Sequence, residues 1–267
     1  MTPTEKAARI IWQHMDSGEP LDALPDALRP ASRADGYAIQ AWLPKLAGDV
    51  AVRGWKIAAT SAAGREHIGV SSPLAGRILA PYAYADDATV PALGNRMLVA
   101  ELEFAFVMAR PLAPRARSYH VDEVLDAVAE LRPSIEFPSS RFDDFVHAGE
   151  AQLIADSACA GSFVFGAPAA DDWRRIDLRA HRVDGTVVRN DRVALEREGI
   201  GANVHGDPRA ALTWLVNELS SIGVALSAGQ IVSTGTCLAP MAIMPGDEVR
   251  GDYGVLGRIS ARFGHHR

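Results

Sequence analysis

The residues most able to do chemistry are three glutamates in two apolar segments. Glu101 and Glu103 lie within residues 98–107, and Glu136 lies within residues 134–138. Residues two apart in a strand point to the same face, so Glu101 and Glu103 are expected to project together. Neighbouring carboxylates in an apolar strand repel each other unless a cation lies between them. Three carboxylate ligands that leave coordination positions open for water or substrate are more typical of a Mg²⁺ or Mn²⁺ site than of a Zn²⁺ site.

A solvated surface is the alternative interpretation of the same glutamates. A Glu-x-Glu pair on an amphipathic strand commonly faces water, and Glu136 would then pair with a nearby arginine such as Arg141. Composition and spacing alone leave both interpretations open.

Lys56 is a second candidate, for proton transfer. Of the 27 basic residues only Lys6, Lys45 and Lys56 are lysines, and the rest are arginines. A buried lysine can lose its proton, whereas an arginine stays charged. Lys56 stands between Trp55 and Ile57, and a desolvated ammonium near carboxylates and a metal could carry protons. The ordinary alternative is a charge on an edge strand.

The elements that must position these residues are predicted from hydrophobic periodicity. Helical spacing covers residues 3–17 and 31–47, joined by a proline-punctuated connector over 18–30, and recurs at 121–130, 147–155 and 207–222. Asp207-Pro208 is a typical start for the last helix. Asp184-Gly185 predicts a hairpin turn between two short strands. Runs of β-branched and aromatic residues predict strands within 52–60, 96–109, 132–138, 158–166, 181–190 and 229–236.

The fold class that follows is α+β, with a strand-rich core and a helical N-terminal region. Helices are too few and too irregularly placed for repeated βαβ units. We expect a helical region over residues 1–50 and a β-rich catalytic domain over 51–267, together forming one structural unit.

Composition excludes several classes of protein. The 267 residues carry a net charge of -6, are 48% hydrophobic and 22% charged, and so do not describe a disordered chain. The absence of a basic run argues against a nucleic-acid partner. Neither a membrane span nor a signal peptide is indicated, and Cys159 and Cys237 make no disulfide framework, so a cytoplasmic protein is expected. Nucleotide-loop, nucleophile-elbow and common zinc motifs are missing from the sequence.

Taken together, these segments resemble the 2-keto-4-pentenoate hydratase / 4-oxalocrotonate decarboxylase branch of the fumarylacetoacetate hydrolase superfamily. The resemblance extends in order from about residue 34 to 263, and its specificity lies in the order and spacing of the blocks. The matching blocks are 35–40, 54–57 with 60–61, 68–73, 101–103, 136, 140–141, 155–161, the helix beginning at Asp207-Pro208, 228–232 and 234–236.

The resemblance implies a fold, a cofactor and a set of site residues. The fold is a mixed β-roll core, and the cofactor is a divalent cation, usually Mg²⁺ or Mn²⁺. Glu101, Glu103 and Glu136 fall where the family places its metal-binding carboxylates, and Lys56 falls at its active-site lysine. The residues expected to meet the substrate are Ser157, Thr234, Gly235 and Thr236.

The activity that the resemblance implies is a lyase reaction on 2-oxo or 2-hydroxy-dienoic acids from aromatic-compound degradation. We favour a hydratase that adds water to a substrate such as 2-hydroxypenta-2,4-dienoate, with a 4-oxalocrotonate-type decarboxylase as the alternative. An acylpyruvate hydrolase would need a base, which Glu66-His67 could supply. Departures from the family pattern at Leu74, Ser139 and Ser157 keep open a catalytically silent keto-acid-binding subunit. Family members also suggest a homo-oligomer and a partner enzyme of the same pathway.

Overall fold

A computed structural model describes residues 1–265 of the chain. Within them, the α-helices are α1 Pro3–Ser17, α2 Arg33–Gln40, α3 Leu43–Leu46, α4 Ala62–His67, α5 Val121–Leu125, α6 Glu150–Ala155 and α7 Pro208–Ser221. The strands are β1 Val52–Ala58, β2 Leu74–Leu79, β3 Ala83–Ala85, β4 Ala88–Val90, β5 Val99–Met108, β6 Val128–Phe137, β7 Ser162–Phe165, β8 Arg182–Arg189, β9 Arg192–Ile200, β10 Ile231–Thr236, β11 Met241–Ala242, β12 Glu248–Asp252 and β13 Arg258–Phe263.

The N-terminal helices form their own apolar cluster. Helix α1 begins where the Thr2 side chain accepts a hydrogen bond from the Glu5 amide, and it ends at Gly18 with φ 73°. Its buried face packs with residues of α2 and α3 and with Phe142. The predicted helix over 3–17 is confirmed, whereas the pattern over 31–47 divides into α2 and α3. None of the described helices is long and apolar enough to cross a membrane.

The larger sheet contains the strands that carry the candidate residues. Its order is β2-β1-β10-β5-β6-β7-β3, with β11 paired to β5. Strand β5 is antiparallel to β6, and their register places Glu101 opposite Glu136 and Glu103 opposite Ser134. Strand β1 is parallel to β10 and places Lys56 opposite Ser233. Four neighbouring strands therefore bring the three glutamates and the lysine into one region of the sheet.

A second, five-stranded sheet covers the opposite face of β5. Its order is β4-β13-β12-β8-β9. The main apolar core includes Leu102 and Phe104, which alternate with the two glutamates along β5, together with residues of β8, β12 and β13. The Tyr253 hydroxyl donates to the carbonyls of Glu103 and Ser134 at 2.9 and 3.0 Å. The alternation along β5 thus places the two glutamates on the face opposite this core. The predicted strand-rich α+β class is confirmed.

Two local predictions were wrong. Residues 184–185 lie inside the continuous strand β8, and the hairpin turn to β9 is at Asn190-Asp191, where φ is 49° and 60°. Gly185 has a different reason to be glycine, since a Cβ there would lie 2.8 Å from the Met241 sulfur. The helix predicted over 121–130 ends at Leu125, and β6 begins at Val128.

Candidate active site

Three carboxylates meet between β5 and β6. One side-chain oxygen from each of Glu101, Glu103 and Glu136 lies within 4.8 Å of the others. Glu103 and Glu136 are fully buried, and Glu101 is partly accessible from a cleft. The strand register explains the cluster, because Glu101 faces Glu136 across the ladder and Glu103 shares the face of Glu101. The solvated-surface interpretation of these glutamates is therefore wrong.

The hydrogen bonds of the cluster leave some carboxylate oxygens without a donor. Glu103 Oε2 accepts from the Ser233 hydroxyl at 2.6 Å and from the Gly235 amide at 2.9 Å. For Glu103 Oε1 and Glu136 Oε2, residues 1–265 provide no hydrogen-bond donor. A buried acceptor without a partner is costly, so these oxygens are well suited to a cation.

Lys56 is part of the same cluster. Its Nζ lies 3.0 Å from Glu136 Oε1 and donates to the Ala158 carbonyl at 3.0 Å. The side chain is 3% exposed, and β1 lies between β2 and β10, so Lys56 is not an edge-strand charge. The pairing of Glu136 with Arg141 is also wrong, because Arg141 forms its ion pair with Asp156.

Burial and mutual repulsion perturb these carboxyl groups. Burial, reinforced by the Glu103 charge, raises the pKa of Glu101 to about 7. Burial also raises the pKa of Glu103, and raises that of Glu136 well above its ordinary value. Burial alone would lower the pKa of Lys56, but the carboxylates, Glu136 foremost, raise it overall. Three carboxylates and one ammonium carry a formal charge of −2 when ionised, which a divalent cation would balance.

A left-handed turn of residues 157–159 contacts Lys56, whose Nζ lies between this turn and Glu136. Ser157, Ala158 and Cys159 all have positive φ, at 51°, 52° and 59°. Such conformations cost non-glycine residues roughly 1–2 kcal/mol each. The turn approaches β2 so closely that a Cβ on Gly76 would lie 2.0 Å from the Ser157 carbonyl oxygen. It is held by Asp156, which accepts hydrogen bonds from the Arg141 side chain and backbone and from the Ser140 hydroxyl.

An open cleft of about 1080 Å³ lies over the cluster. Lys56 and Glu101 line it, as do Ala158 and Cys159 of the left-handed turn. Its walls come from α4, the segment after β9 and the segment after β10. The remaining polar lining includes Thr60, Arg65, His67, Arg96, Asn203, His205 and Thr236. A small molecule entering this cleft would therefore meet Glu101 and Lys56 together.

Known proteins with related sequences and structures support one family. The 2-oxo-hept-4-ene-1,7-dioate hydratase of Escherichia coli is 31% identical over 239 residues, covering 86% of both chains. The chain belongs to the 2-keto-4-pentenoate hydratase / 4-oxalocrotonate decarboxylase family. Another member, the 2-keto-4-pentenoate hydratase of Paraburkholderia xenovorans (strain LB400), is 29% identical over 98% of this chain and 96% of its own. A comparison with protein-family models gives no match.

A solved structure of the same hydratase–decarboxylase family has the same fold. The 4-oxalocrotonate decarboxylase from Pseudomonas putida G7, complexed with magnesium and adipate, superposes with a TM-score of 0.84. It is 26% identical, and the match covers 97% of both chains. A 5-carboxymethyl-2-hydroxymuconate delta-isomerase from Mycobacterium smegmatis, at 17% identity and a TM-score of 0.56, shares the fold alone.

The four residues expected from the family resemblance to meet the substrate lie in different environments. Gly235 and Thr236 line the cleft. Thr234 is buried and donates its hydroxyl to the Phe104 carbonyl at 2.9 Å. Ser157 is also buried, and residues 1–265 offer its hydroxyl no hydrogen-bond partner. The assignment of these residues to substrate binding stays a prediction.

The other departures from the family pattern lie outside the carboxylate cluster. Leu74 is fully buried in β2, and the Ser139 amide donates to the Cys159 carbonyl at 2.9 Å. His67 lines the cleft, and no hydrogen bond joins it to Glu66 among the described residues, so the Glu66-His67 base stays a prediction. 

Sequence reasoning missed Ser233, which orients Glu103, and it missed two arginines in the lining of the cleft, Arg65 and Arg96. The signal for Ser233 was available, since it precedes Thr234 in a predicted strand. The arginines carried no such signal, because the chain has many of them and only the fold selects these two.

Proposed function

We propose that this chain is a divalent-metal-dependent hydratase. It adds water to a 2-hydroxy-2,4-dienoate or 2-oxo-enoate, such as 2-hydroxypenta-2,4-dienoate, and yields a 4-hydroxy-2-oxo acid in aromatic-compound degradation. One observation carries the proposal: three carboxylates, two of them fully buried, and a buried lysine meet beside a cleft that admits a small molecule. The names of the relatives support the same reaction class.

The residues present fit a hard divalent cation. All three ligands are carboxylates, which suit Mg²⁺ or Mn²⁺, and two buried oxygens lack donors in the described chain. Glu101, Glu103 and Glu136 would hold the ion. When bound, it supplies Lewis-acid stabilisation of the negative charge that develops on a 2-oxo acid during the reaction.

The protein's own groups provide orientation and proton transfer. Ser233 and the Gly235 amide fix Glu103 by two hydrogen bonds to one oxygen and leave its other oxygen for the ion. Glu136 and the Ala158 carbonyl fix the Lys56 ammonium. Because the carboxylates keep that nitrogen protonated, Lys56 is set to deliver a proton to the substrate carbon chain during hydration.

The test is turnover by metal-stripped and metal-loaded protein. Loss of the dienol absorbance of 2-hydroxypenta-2,4-dienoate should be absent with chelator and restored by Mg²⁺ or Mn²⁺. The product should contain one oxygen atom from labelled water. Retained metal binding without turnover of any dienoate would overturn the proposal in favour of a keto-acid-binding subunit.

A decarboxylase is the second candidate, favoured by the TM-score of 0.84 to a 4-oxalocrotonate decarboxylase. That reaction releases carbon dioxide from a 2-oxo-enedioate and consumes no water. The same protein preparation given such a substrate would release carbon dioxide without incorporating labelled oxygen. That pair of results would replace the hydratase proposal by the decarboxylase.

Two broader proposals concern assembly, for which the family resemblance is the support, and cellular location. We infer a homo-oligomer that associates with an enzyme of the same pathway, and a cytoplasmic location. Light scattering on the purified protein would test the first proposal, and a single monomeric species of about 28.5 kDa would contradict it.

A further inference from the structure

The charge of the cleft is opposite to that of the carboxylate cluster. Beyond Lys56, the described lining contributes two arginines and two histidines, and its one acidic side chain is the candidate metal ligand Glu101. Away from the cluster, therefore, the cleft presents positive charge to a ligand. A second negative group on the ligand would be attracted there.

Of the two arginines that line the cleft, Arg65 is the one without a counter-ion among the described residues. It lies on α4, and its Nη1 donates to the carbonyls of Ala59 and Thr60 at 3.3 and 3.1 Å. Among the described residues, no carboxylate lies within ion-pair distance of it, and Nε and Nη2 donate to no other group. The guanidinium is thus anchored through one nitrogen while its remaining donors can bind a ligand.

Arg96 differs in each of these respects. Its Nη1 and Nη2 donate to the carbonyls of Gly94 and Gly18, both at 3.1 Å. Its Nε lies 3.8 Å from Asp143, which offsets its charge. Arg96 lines the cleft, but its donors and its charge are already engaged.

The anchor of Arg65 is connected to the carboxylate cluster. The Thr60 carbonyl accepts a hydrogen bond from Arg65. The Thr60 side chain packs so closely on Gly235 that a Cβ on Gly235 would lie 2.5 Å from Thr60 Oγ1. The Gly235 amide in turn binds Glu103. Arg65 is also nine residues beyond Lys56, at the other end of the segment that leads from β1 into α4. Contacts through Thr60 and Gly235 therefore connect the anchor of the guanidinium to Glu103 of the cluster.

Building on the proposed function, we propose that Arg65 is a specificity-determining residue that binds the distal carboxylate of a 2-oxo dicarboxylic acid. The 2-oxo acid end of the substrate lies at the carboxylate cluster and Lys56, and the far carboxylate pairs with the guanidinium fork. Two parallel N–H···O bonds from arginine match the geometry of a carboxylate. A substrate without a second carboxylate, such as 2-hydroxypenta-2,4-dienoate, would leave the arginine without its counter-ion, so the inference narrows the proposed substrates to dienoates that carry a second carboxylate and are bound more tightly.

Two acids of equal length test this proposal: 2-oxoadipate, which has a second carboxylate, and 2-oxohexanoate, which has a methyl group instead. Calorimetric titration into Mg²⁺-loaded protein should show 2-oxoadipate binding about 10–100-fold more tightly, the range for charge-assisted hydrogen bonds. Arg65→Met should remove this preference and leave 2-oxohexanoate affinity unchanged, which also shows that the variant is folded. Arg65→Lys should keep part of the preference, and the matched control Arg96→Met should keep all of it.

Each contrary outcome has its own meaning. Equal binding of the two acids by the parent protein would overturn the role of Arg65 and leave the proposed function standing. Loss of the preference in Arg96→Met alone would overturn it as well, by assigning the contact to the other arginine. Failure of both acids to bind the Mg²⁺-loaded parent would overturn the proposed function, and this inference with it.

Discussion

Replacing Glu103 by glutamine changes one charge in the carboxylate cluster and keeps the shape of the side chain. The amide oxygen of glutamine can accept the two hydrogen bonds that Ser233 and Gly235 now donate to Oε2. The amide nitrogen then takes the place of Oε1, which has no donor among the described residues. We therefore expect Glu103→Gln to fold and to lose affinity for a divalent cation.

Glu103→Gln should be more stable than the parent without a cation and less stable than the parent with one. The three ligand oxygens lie within 4.8 Å of one another, and two unit charges at that distance repel by about 3.5 kcal/mol at an effective dielectric constant of about 20. Partial protonation and Lys56 reduce this repulsion, so without a cation the variant should be about 1–2 kcal/mol more stable. A cation at 100 times its dissociation constant should add about 2.7 kcal/mol to the parent alone.

Thermal unfolding in chelator and in excess Mg²⁺ measures both effects of Glu103→Gln. For 267 residues, 2.7 kcal/mol corresponds to a rise in melting temperature of about 5 °C, which the variant should largely lose. Glu196→Gln, on the exposed strand β9, is the matched control and should behave like the parent. Equal Mg²⁺-induced shifts in Glu103→Gln and the parent would refute the metal site. A variant less stable than the parent in chelator would refute the repulsion argument.

Three further predictions follow from the same region. Lys56→Met should keep the Mg²⁺-induced melting shift and lower turnover by about 10²–10⁴-fold, the range for a proton-transfer group, and an unchanged rate would contradict its role. Burial raises the pKa of Glu101 from 4.5 to about 7, so between these pH values the folded protein holds a proton that the unfolded chain has released. The stability of the protein in chelator should therefore fall as the pH rises from about 4.5 to 7. A melting temperature that rose over this range would contradict the prediction. Gly76→Ala places a Cβ 2.0 Å from the Ser157 carbonyl oxygen and should lower the free energy of unfolding, measured by chemical denaturation, by about 3 kcal/mol. An unchanged free energy of unfolding would mean that the left-handed turn can move away from β2 at little cost.

Much of the site was predictable because strand periodicity is a local property. The alternation along 98–107 places Glu101 and Glu103 on one face and Leu102 on the other, and β5 has that arrangement. The pairing of Glu101 with Glu136 depends on the register of β5 against β6, which no local pattern specifies. The expectation that Glu136 joins the pair came from family resemblance, and the register supplies its physical reason.

The hairpin turn predicted at residues 184–185 and the helix predicted over 121–130 were wrong because contacts distant in sequence decide the structure at both places. Asp-Gly is a common hairpin turn, but Gly185 is needed because β8 passes close to Met241 of the first sheet. The segment 121–130 has helical spacing, but its second half is drawn into the ladder with β5. In both cases a tertiary contact, with Met241 or with β5, overrides the local conformational preference. The residues at 184–185 and 121–130 do not themselves indicate that contact.

The concentration of unfavourable features at one place argues that the cluster exists for function. Three closely spaced carboxylates repel each other, two of their buried oxygens lack donors in the described chain, and three consecutive non-glycine residues adopt left-handed conformations beside Lys56. An apolar replacement of similar volume would remove the electrostatic cost, since buried charges contribute little to stability by themselves. A core selected for stability alone would therefore lack these features. A core that must hold a cation and position an ammonium beside a substrate cleft requires them, because its ligands have to be fixed before the ion and the substrate arrive.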